Sequence, residues 1–162
     1  MKQEYLNLYD RKGNLLEGYA IRGQKSKDLR GVVIVFIENS KGELLIQKTS
    51  PSRGSIYATT GGHVDYGSNF DDTIIREIKE ELGLTISKEE IKELTHYILE
   101  EEKYFLKAYY LKKDIDINDI IIQKDEVEFV KWLSKEEIDK LIDENKFRNG
   151  NIPGYKYLRG GK

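Results

Sequence analysis

The chain has 162 residues, no cysteine, only two histidines and a formal net charge of −2. This length is typical of one domain with its own core. Disulfides, thiolate metal sites and a three-histidine zinc site are therefore excluded, and the balanced charge argues against binding a nucleic acid duplex. No apolar run is long enough for a membrane helix, and the N-terminus lacks the apolar region of a signal peptide. We expect a cytoplasmic protein in which any metal is bound by oxygen ligands.

The N-terminal quarter of the chain is predicted to form strands. Two stretches, 5–9 and 15–21, flank a turn-forming Asp-Arg-Lys-Gly-Asn sequence, which predicts a β-hairpin extension over residues 1–30. The run GVVIVFIE at 31–38 is apolar and β-branched, as is typical of a central strand covered on both faces. A turn follows, and then ELLIQKTS predicts a neighbouring strand.

Residues 70–82, FDDTIIREIKEEL, have the periodicity of an amphipathic helix. Its apolar residues share one face and are Phe70, Ile74, Ile75, Ile78 and Leu82. Two pairs offer an N-terminal cap, Asn69 with Asp72 or Ser68 with Asp71. Gly83 supplies the signal that ends the helix.

The C-terminal half combines strands with further helical signals. Stretches around 92–99 and 104–112 predict a hairpin, and 127–134 predicts one more strand. A helix is predicted from about 135 to 146, and residues 148–162 are expected to form a tail that packs through its tyrosines and frays at its end. Together these elements predict a single α+β domain over the whole chain, a mixed sheet with helices on its faces.

The pentapeptide SKEEI occurs twice, at 87–91 and at 134–138. Each copy has the Ser-x-x-Glu spacing of a capping box, in which the serine oxygen and the glutamate carboxylate satisfy free N–H groups. We therefore expect a helix start at both copies.

Three glutamates, Glu77, Glu80 and Glu81, lie along one side of the predicted helix. Like charges at this spacing repel by about 0.2–0.5 kcal/mol per pair. Arg76 can pair with Glu80, but one arginine cannot neutralise three carboxylates. The surplus charge favours a divalent cation, and the alternative is a solvated acidic face.

The segment ATTGGHVDYG at 58–67 comes immediately before this helix. Two adjacent glycines, Gly61 and Gly62, predict a loop whose backbone bends sharply or approaches another group closely. Such a loop brings carbonyl oxygens beside the helix carboxylates, and an all-oxygen site of this kind suits Mg²⁺ or Mn²⁺. By itself, a glycine pair indicates only a turn.

These features resemble the signature of the Nudix hydrolase family, which runs Gly-x5-Glu-x7-Arg-Glu-aliphatic-x-Glu-Glu-x-Gly-aliphatic. Gly62 takes the first position, and REIKEELGL at 76–84 supplies the second half in register. The one mismatch is Ser68, which stands at the first Glu. The resemblance extends from about residue 31 to residue 141, because EVEFVKWLSKEEI is similar to the closing strand and helix of the family.

The resemblance implies an α/β/α sandwich with a mixed sheet, and hydrolysis of a nucleoside diphosphate linked to another moiety with Mg²⁺ or Mn²⁺. Glu80 and Glu81 would be the main metal ligands, together with the carbonyl oxygen of Gly61 or Gly62. Because Ser68 carries no charge, we expect weaker metal binding than with the signature Glu.

The resemblance also implies roles for residues around these ligands. Glu77 would be a ligand or the base that activates water, and Arg76 would orient the carboxylates. Glu126, ahead of the last strand, would supply a further carboxylate, with Asp125 and Glu128 as rivals.

Two more residues are candidates for substrate binding. Lys48, on the strand after the central one, can contact a phosphate, although a single strand lysine is more often solvated. His63 can contact substrate from the glycine segment, and a structural hydrogen bond is an equally good interpretation.

The N-terminal hairpin and the Gly-Gly-His segment are similar to a Nudix subgroup that resembles isopentenyl diphosphate isomerases. In those enzymes isomerisation relies on a catalytic cysteine. This chain contains none, so isomerase activity is rejected.

The leading hypothesis is therefore a metal-dependent hydrolase of a small molecule that contains a diphosphate. A Nudix-fold module that binds such a ligand with little turnover is the alternative, favoured by Ser68, and an unrelated scaffold would leave the glutamate cluster unexplained. The substrate stays open among diphosphate compounds. A homodimer is a further expectation, because the edge strands of the hairpin need cover.

Overall fold

The computed structural model describes residues 3–160, which form nine strands and three α-helices. The strands are β1 (Tyr5–Tyr9), β2 (Leu15–Ile21), β3 (Leu29–Glu38), β4 (Leu44–Thr49), β5 (Tyr57–Ala58), β6 (Thr60–His63), β7 (Ile91–Leu99), β8 (Tyr104–Lys112) and β9 (Val127–Leu133). The helices are α1 (Phe70–Leu82), α2 (Lys135–Asp143) and α3 (Ile152–Leu158). None of these helices is long and apolar enough to cross a membrane.

Strand β3 is the centre of a mixed sheet, as its apolar sequence predicts. It pairs in parallel with β8 from Arg30–Tyr104 to Glu38–Lys112, and antiparallel with β6. Hairpin β1–β2 joins the start of β3, β7 pairs with β8, and β4 pairs with β9. The predicted α+β class and both predicted hairpins are confirmed.

Alternate residues of β3 enter two different cores, because successive side chains of a strand point to opposite faces. Val33, Val35 and Ile37 pack in one apolar cluster with the buried side of α1. Ile34 and Phe36 pack in a second cluster, which includes residues from α2 and α3. The sheet therefore has helices on both faces, which confirms the predicted sandwich.

The two copies of SKEEI adopt different structures. The second begins α2, where the Ser134 hydroxyl accepts a hydrogen bond from the Glu137 N–H at 3.1 Å. The first also forms the predicted capping box, between Ser87 and Glu90, but it begins only one 3₁₀ turn at 88–90, which continues directly as β7. Pairing of β7 along β8 prevents a longer helix there, because the ladder satisfies the backbone groups that a helix would need.

Helix α1 has the predicted bounds, and its cap is Asn69, whose side chain accepts a hydrogen bond from the Asp72 N–H at 2.8 Å. Helix α2 ends at Asp143, three residues before the predicted position. Asn145 adopts a φ of 57°, which stops the helix, and the Lys146 carbonyl then accepts a hydrogen bond from Tyr57.

The expected C-terminal tail is largely a structured element. A 3₁₀ turn at 149–151 leads into α3, and the Tyr155 side chain is 2% exposed in the second core. The predicted tyrosine packing is confirmed for Tyr155 but not for Tyr157, which is exposed. The predicted fraying concerns residues 161–162, which lie outside the described part of the chain.

Candidate active site

A cleft of about 610 Å³ opens beside α1 and β6. Eight of the predicted site residues line it, namely Gly61, Gly62, His63, Arg76, Glu77, Glu80, Glu81 and Glu126. The structure thus brings together residues from β6, from α1 and from the segment before β9.

Glu81 is a carboxylate in a core position. It follows Ile74 and Ile78 along the buried face of α1, and its side chain is only 4% exposed. Among residues 3–160, its Oε1 atom has no hydrogen-bond partner. Burial, together with the neighbouring Glu77, raises the pKa of Glu81 well above its ordinary value. A buried oxygen without a partner destabilises the fold unless a ligand satisfies it.

Glu77 lies against the backbone of β6, which explains one of the two glycines. A Cβ atom at Gly62 would stand 2.5–2.8 Å from the carboxylate atoms of Glu77, so a side chain there would displace the carboxylate. A Cβ at Gly61 would stand 2.2 Å from the Val33 carbonyl oxygen. Both glycines are in β6, so the predicted glycine loop is wrong, and close approach is the reason for glycine.

Arg76 contacts carboxylates on either side of it. Its guanidinium nitrogens lie 2.9 Å from Glu80, 3.2 Å from Glu77 and 3.3 Å from Asp65. The orienting role of Arg76 stays a prediction.

Glu126 is the carboxylate before β9 that faces the cleft. Its backbone carbonyl accepts a hydrogen bond from Ser50, and its carboxylate lies 2.5 Å from Arg53. Neither rival, Asp125 or Glu128, lines the cleft in the described structure. Burial is the main cause of the raised pKa of Glu77 and of Glu81, and the charge of Glu126 adds to it.

His63 borders the cleft with its ring held by a neighbour. Its Nε2 atom lies 3.1 Å from the Tyr104 hydroxyl. Burial, reinforced by the charges of Arg22 and Arg30, lowers the pKa of His63 to about 4. The imidazole is therefore neutral near pH 7 and can donate or accept a hydrogen bond there, but it carries no charge.

Lys48 does not line the cleft, so its expected contact with a phosphate is not supported. Its ammonium lies 3.8 Å from Glu128 and close to the rings of Tyr57 and Phe129. Because strand residues alternate between faces, the neighbouring Gln47 takes the cleft position instead.

The signature mismatch at Ser68 lies outside the cleft lining. The Ser68 carbonyl accepts a hydrogen bond from the Asn7 amide at 2.9 Å. Of three aspartates near the mismatch, Asp65 alone faces the cleft, while Asp71 accepts a hydrogen bond from Tyr109 and Asp72 pairs with Lys88. A carboxylate therefore stands beside Arg76 even without the signature glutamate.

The cleft also contains residues that the sequence did not indicate. Three are arginines from distant segments, here called the cleft arginines, namely Arg22, Arg53 and Arg148. Others supply polar or apolar surface and include Gln123, Asn151, Tyr104, Leu99 and Leu106. Each is a single residue without local pattern, and the three arginines lie outside the strands, so only the tertiary fold places these residues here.

The donor set fits a hard divalent cation, although no three acidic or histidine side chains within residues 3–160 are arranged closely enough to form a complete metal site. The fit rests on the Oε1 atom of Glu81, which has no hydrogen-bond partner, and on the neighbouring carboxylate of Glu77, which adds to the effect of burial in raising the pKa of Glu81. Carboxylate and carbonyl oxygens, without thiolate, are the donors that such ions prefer.

Comparison with known proteins decides the family. The profile of the Nudix domain matches residues 28–154. This chain belongs to the Nudix hydrolase family. An uncharacterised Nudix hydrolase of Listeria innocua is 33% identical over 135 residues, which is 78% of each chain, and one of Listeria monocytogenes is 32% identical over the same share.

Solved structures confirm the Nudix fold. The DR0079 protein of Deinococcus radiodurans has a TM-score of 0.77 at 23% identity and covers 96% of this chain and 98% of its own. A MutT protein of Methanosarcina mazei has a TM-score of 0.63 at 18% identity, covering 84% and 96%. Nudix hydrolases are generally pyrophosphohydrolases that use divalent metals and act on small nucleoside diphosphate derivatives. The family match supports a pyrophosphohydrolase enzyme in this chain.

Proposed function

We propose that this Nudix enzyme hydrolyses a diphosphate linkage in a nucleoside-diphosphate-like small molecule and depends on Mg²⁺ or Mn²⁺. The observation that carries the proposal is the buried, unpartnered Oε1 of Glu81 in a cleft that is also lined by the candidate ligands Glu77, Glu80 and Glu126. Burying the carboxyl groups of Glu77 and Glu81 is costly in a resting protein, and a divalent ion would offset that cost.

The residues that would hold the cation are the carboxylates of Glu77, Glu80, Glu81 and Glu126, with a carbonyl oxygen of Gly61 or Gly62. A bound divalent cation supplies positive charge that neutralises phosphate oxygens and acidifies water. Arg76 contacts two of these carboxylates and keeps their orientation.

Glu77 is the residue best placed to accept the proton of the attacking water. It is largely buried, and burial raises the pKa of Glu77, which makes its carboxylate a stronger base. A fixed proton acceptor near the phosphate also avoids free hydroxide, which is scarce at neutral pH.

The other part of the cleft suits the group attached to the diphosphate. Leu99 and Leu106 supply apolar surface there, and Tyr104 contributes an aromatic ring and a hydroxyl. Apolar surface with a few fixed polar groups is typical of a small-molecule site.

The alternative, a binding module with little turnover, depended on Ser68. Asp65 supplies a carboxylate next to Arg76, so the mismatch no longer argues for lost activity. Dimerisation and cytoplasmic location stay predictions.

The test is a turnover screen over a panel of nucleotide sugars, dinucleoside polyphosphates, nucleoside triphosphates and isoprenoid diphosphates. Phosphate is measured after phosphatase coupling, with Mg²⁺, with Mn²⁺ and with EDTA. We expect metal-dependent release from at least one nucleoside diphosphate derivative. Release that persists in EDTA would contradict the metal dependence, and a panel without turnover would favour the binding module.

A further inference from the structure

The segment before α3 is attached to the sheet like a short extra strand. The Tyr57 N–H donates to the Lys146 carbonyl at 2.9 Å, and the Arg148 N–H donates to the Tyr57 carbonyl at 2.8 Å. Phe147, between them, is 1% exposed in the second core. Because neighbouring residues of an extended segment point to opposite sides, Arg148 is directed away from that core, and it lines the cleft.

The backbone beyond Arg148 is fixed as well. The Asn151 side chain accepts a hydrogen bond from the Thr59 N–H at 3.0 Å, and the Gly150 carbonyl accepts one from the Tyr97 hydroxyl at 2.7 Å. Asn151 is 2% exposed. The backbone at Arg148 is therefore already ordered, so ligand binding does not have to order the segment that carries this side chain.

Arg148 differs from the other arginines of the cleft in its partners. Arg22 lies 2.7 Å from Glu4, Arg53 lies 2.5 Å from Glu126, and Arg76 contacts Glu80. Within residues 3–160, no carboxylate oxygen lies within 4.0 Å of the Arg148 guanidinium. Its charge in the cleft is thus uncompensated by a direct ion pair.

The surroundings of Arg148 make this charge costly. Burial lowers the pKa of Arg148, and the nearby charge of Glu81 opposes that effect. An arginine stays charged in proteins, so the group cannot escape the cost by losing its proton. An anion in the cleft would relieve it, and the planar guanidinium matches the spacing of phosphate oxygens.

We propose that Arg148 binds a phosphate group of the substrate's diphosphate. It does so from the C-terminal segment before α3, and not from α1. This inference rests on the proposed function for its ligand class, a diphosphate. It assigns to the C-terminal segment a part in substrate binding that lies outside the signature.

Calorimetric titration with methylenediphosphonate in the presence of Mg²⁺ tests the proposal, because this diphosphate analogue binds without being hydrolysed. A hydrogen-bonded charge contact contributes about 1.5–3 kcal/mol, so Arg148→Ala should raise Kd by about 10- to 100-fold. Arg148→Lys should give an intermediate Kd, because lysine keeps the charge and loses the planar pair of donors.

The matched control is Lys146→Ala. Lys146 is an exposed cation two residues away that pairs with Glu144, so its loss should change Kd by less than about twofold. Arg148→Gln, which keeps most of the side-chain volume, replaces the alanine variant if that variant fails to fold. Thermal unfolding of each variant shows whether the fold is intact.

The outcomes separate this inference from the hydrolase proposal. An Arg148→Ala protein that binds the analogue as tightly as wild type overturns the role of Arg148, whatever the turnover. A wild-type protein that does not bind the analogue overturns it also. Binding that depends on Arg148 in a protein that hydrolyses nothing would support this inference and contradict the hydrolase.

Discussion

The glutamates of α1 and the cleft arginines line the same cleft, but the glutamates are close together in the sequence and the arginines are far apart. Glu77, Glu80 and Glu81 fall within five consecutive positions of one helix, so helical geometry alone brings them together. The cleft arginines come from positions 22, 53 and 148, and only the sheet and its connections make them neighbours. A local cluster can be recognised in a sequence, whereas a cluster assembled by topology cannot.

The two groups also differ in electrostatic balance. The glutamates carry more charge than Arg76 neutralises, and one carboxylate oxygen is left without a partner. Two of the cleft arginines have carboxylate partners, and Arg148 has none within the described chain. The surplus negative charge of the glutamates predicts a bound cation, and the unpaired charge of Arg148 predicts a bound anion. Substitutions in the glutamates should therefore affect cation binding, and substitutions of Arg148 should affect anion binding.

The largest expected effect is on turnover. Glu81→Gln and Glu77→Gln should each reduce kcat by about 10²–10³-fold, because each removes a fixed charge at the reacting centre. Steady-state kinetics on the substrate found in the screen measure this loss, with Glu136→Gln on the exposed side of α2 as the control. A Glu81→Gln enzyme with nearly wild-type kcat would contradict the role of Glu81 at the reacting centre.

Metal binding should depend on the glutamates and not on Arg148. At about 100 times Kd, MnCl₂ should stabilise the fold by about 2.7 kcal/mol, which corresponds to roughly 5–10 °C in Tm for a chain of this length. Thermal unfolding should show this shift in wild type and in Arg148→Ala.

The doubly substituted Glu80→Gln/Glu81→Gln protein should lose the shift, and NaCl of equal ionic strength should not reproduce it. If the double variant kept the full shift, the cation would be bound elsewhere.

Stability without metal should depend on pH through the glutamate pair. The folded-state pKa of Glu81 lies above its ordinary value of 4.5, so its favourable contribution is complete below that pH and is lost as the pH rises through the folded-state pKa. Denaturant unfolding in EDTA should therefore show Glu81→Gln gaining stability relative to wild type as the pH rises from about 4.5 towards 8. A difference that is independent of pH would contradict the raised pKa.

The smallest effect is expected at His63, which belongs to neither group. His63→Gln should lower kcat/KM by less than about tenfold, because it disturbs one hydrogen bond to Tyr104. The pKa of His63 is depressed from 6.5 to about 4, so wild type should lose stability as the pH falls through that window, and His63→Gln should lose less. Unfolding measured between pH 4 and pH 7 tests the predicted pH dependence of stability. A His63→Gln enzyme without activity would contradict the predicted small effect on kcat/KM.

Much of the fold follows from local patterns. The apolar run at 31–38 predicts the central strand, because only a strand covered on both faces tolerates it. The bounds of α1 follow from its periodicity, its Asn69 cap and the left-handed Gly83. The first SKEEI copy shows the limit, since the same five residues cap a helix in one place and precede a strand in the other.

The candidate metal ligands on α1 could be predicted from the sequence, because their spacing lies within one and a half turns of a helix. The tertiary structure was needed to show which of Asp125, Glu126 and Glu128 faces the cleft, that Lys48 points elsewhere, and that Arg148 enters it. The physical reason is the alternation of strand residues between two faces. A shift of one position moves a side chain from the cleft into a core or solvent, and the register that fixes this comes from partner strands far away in the chain.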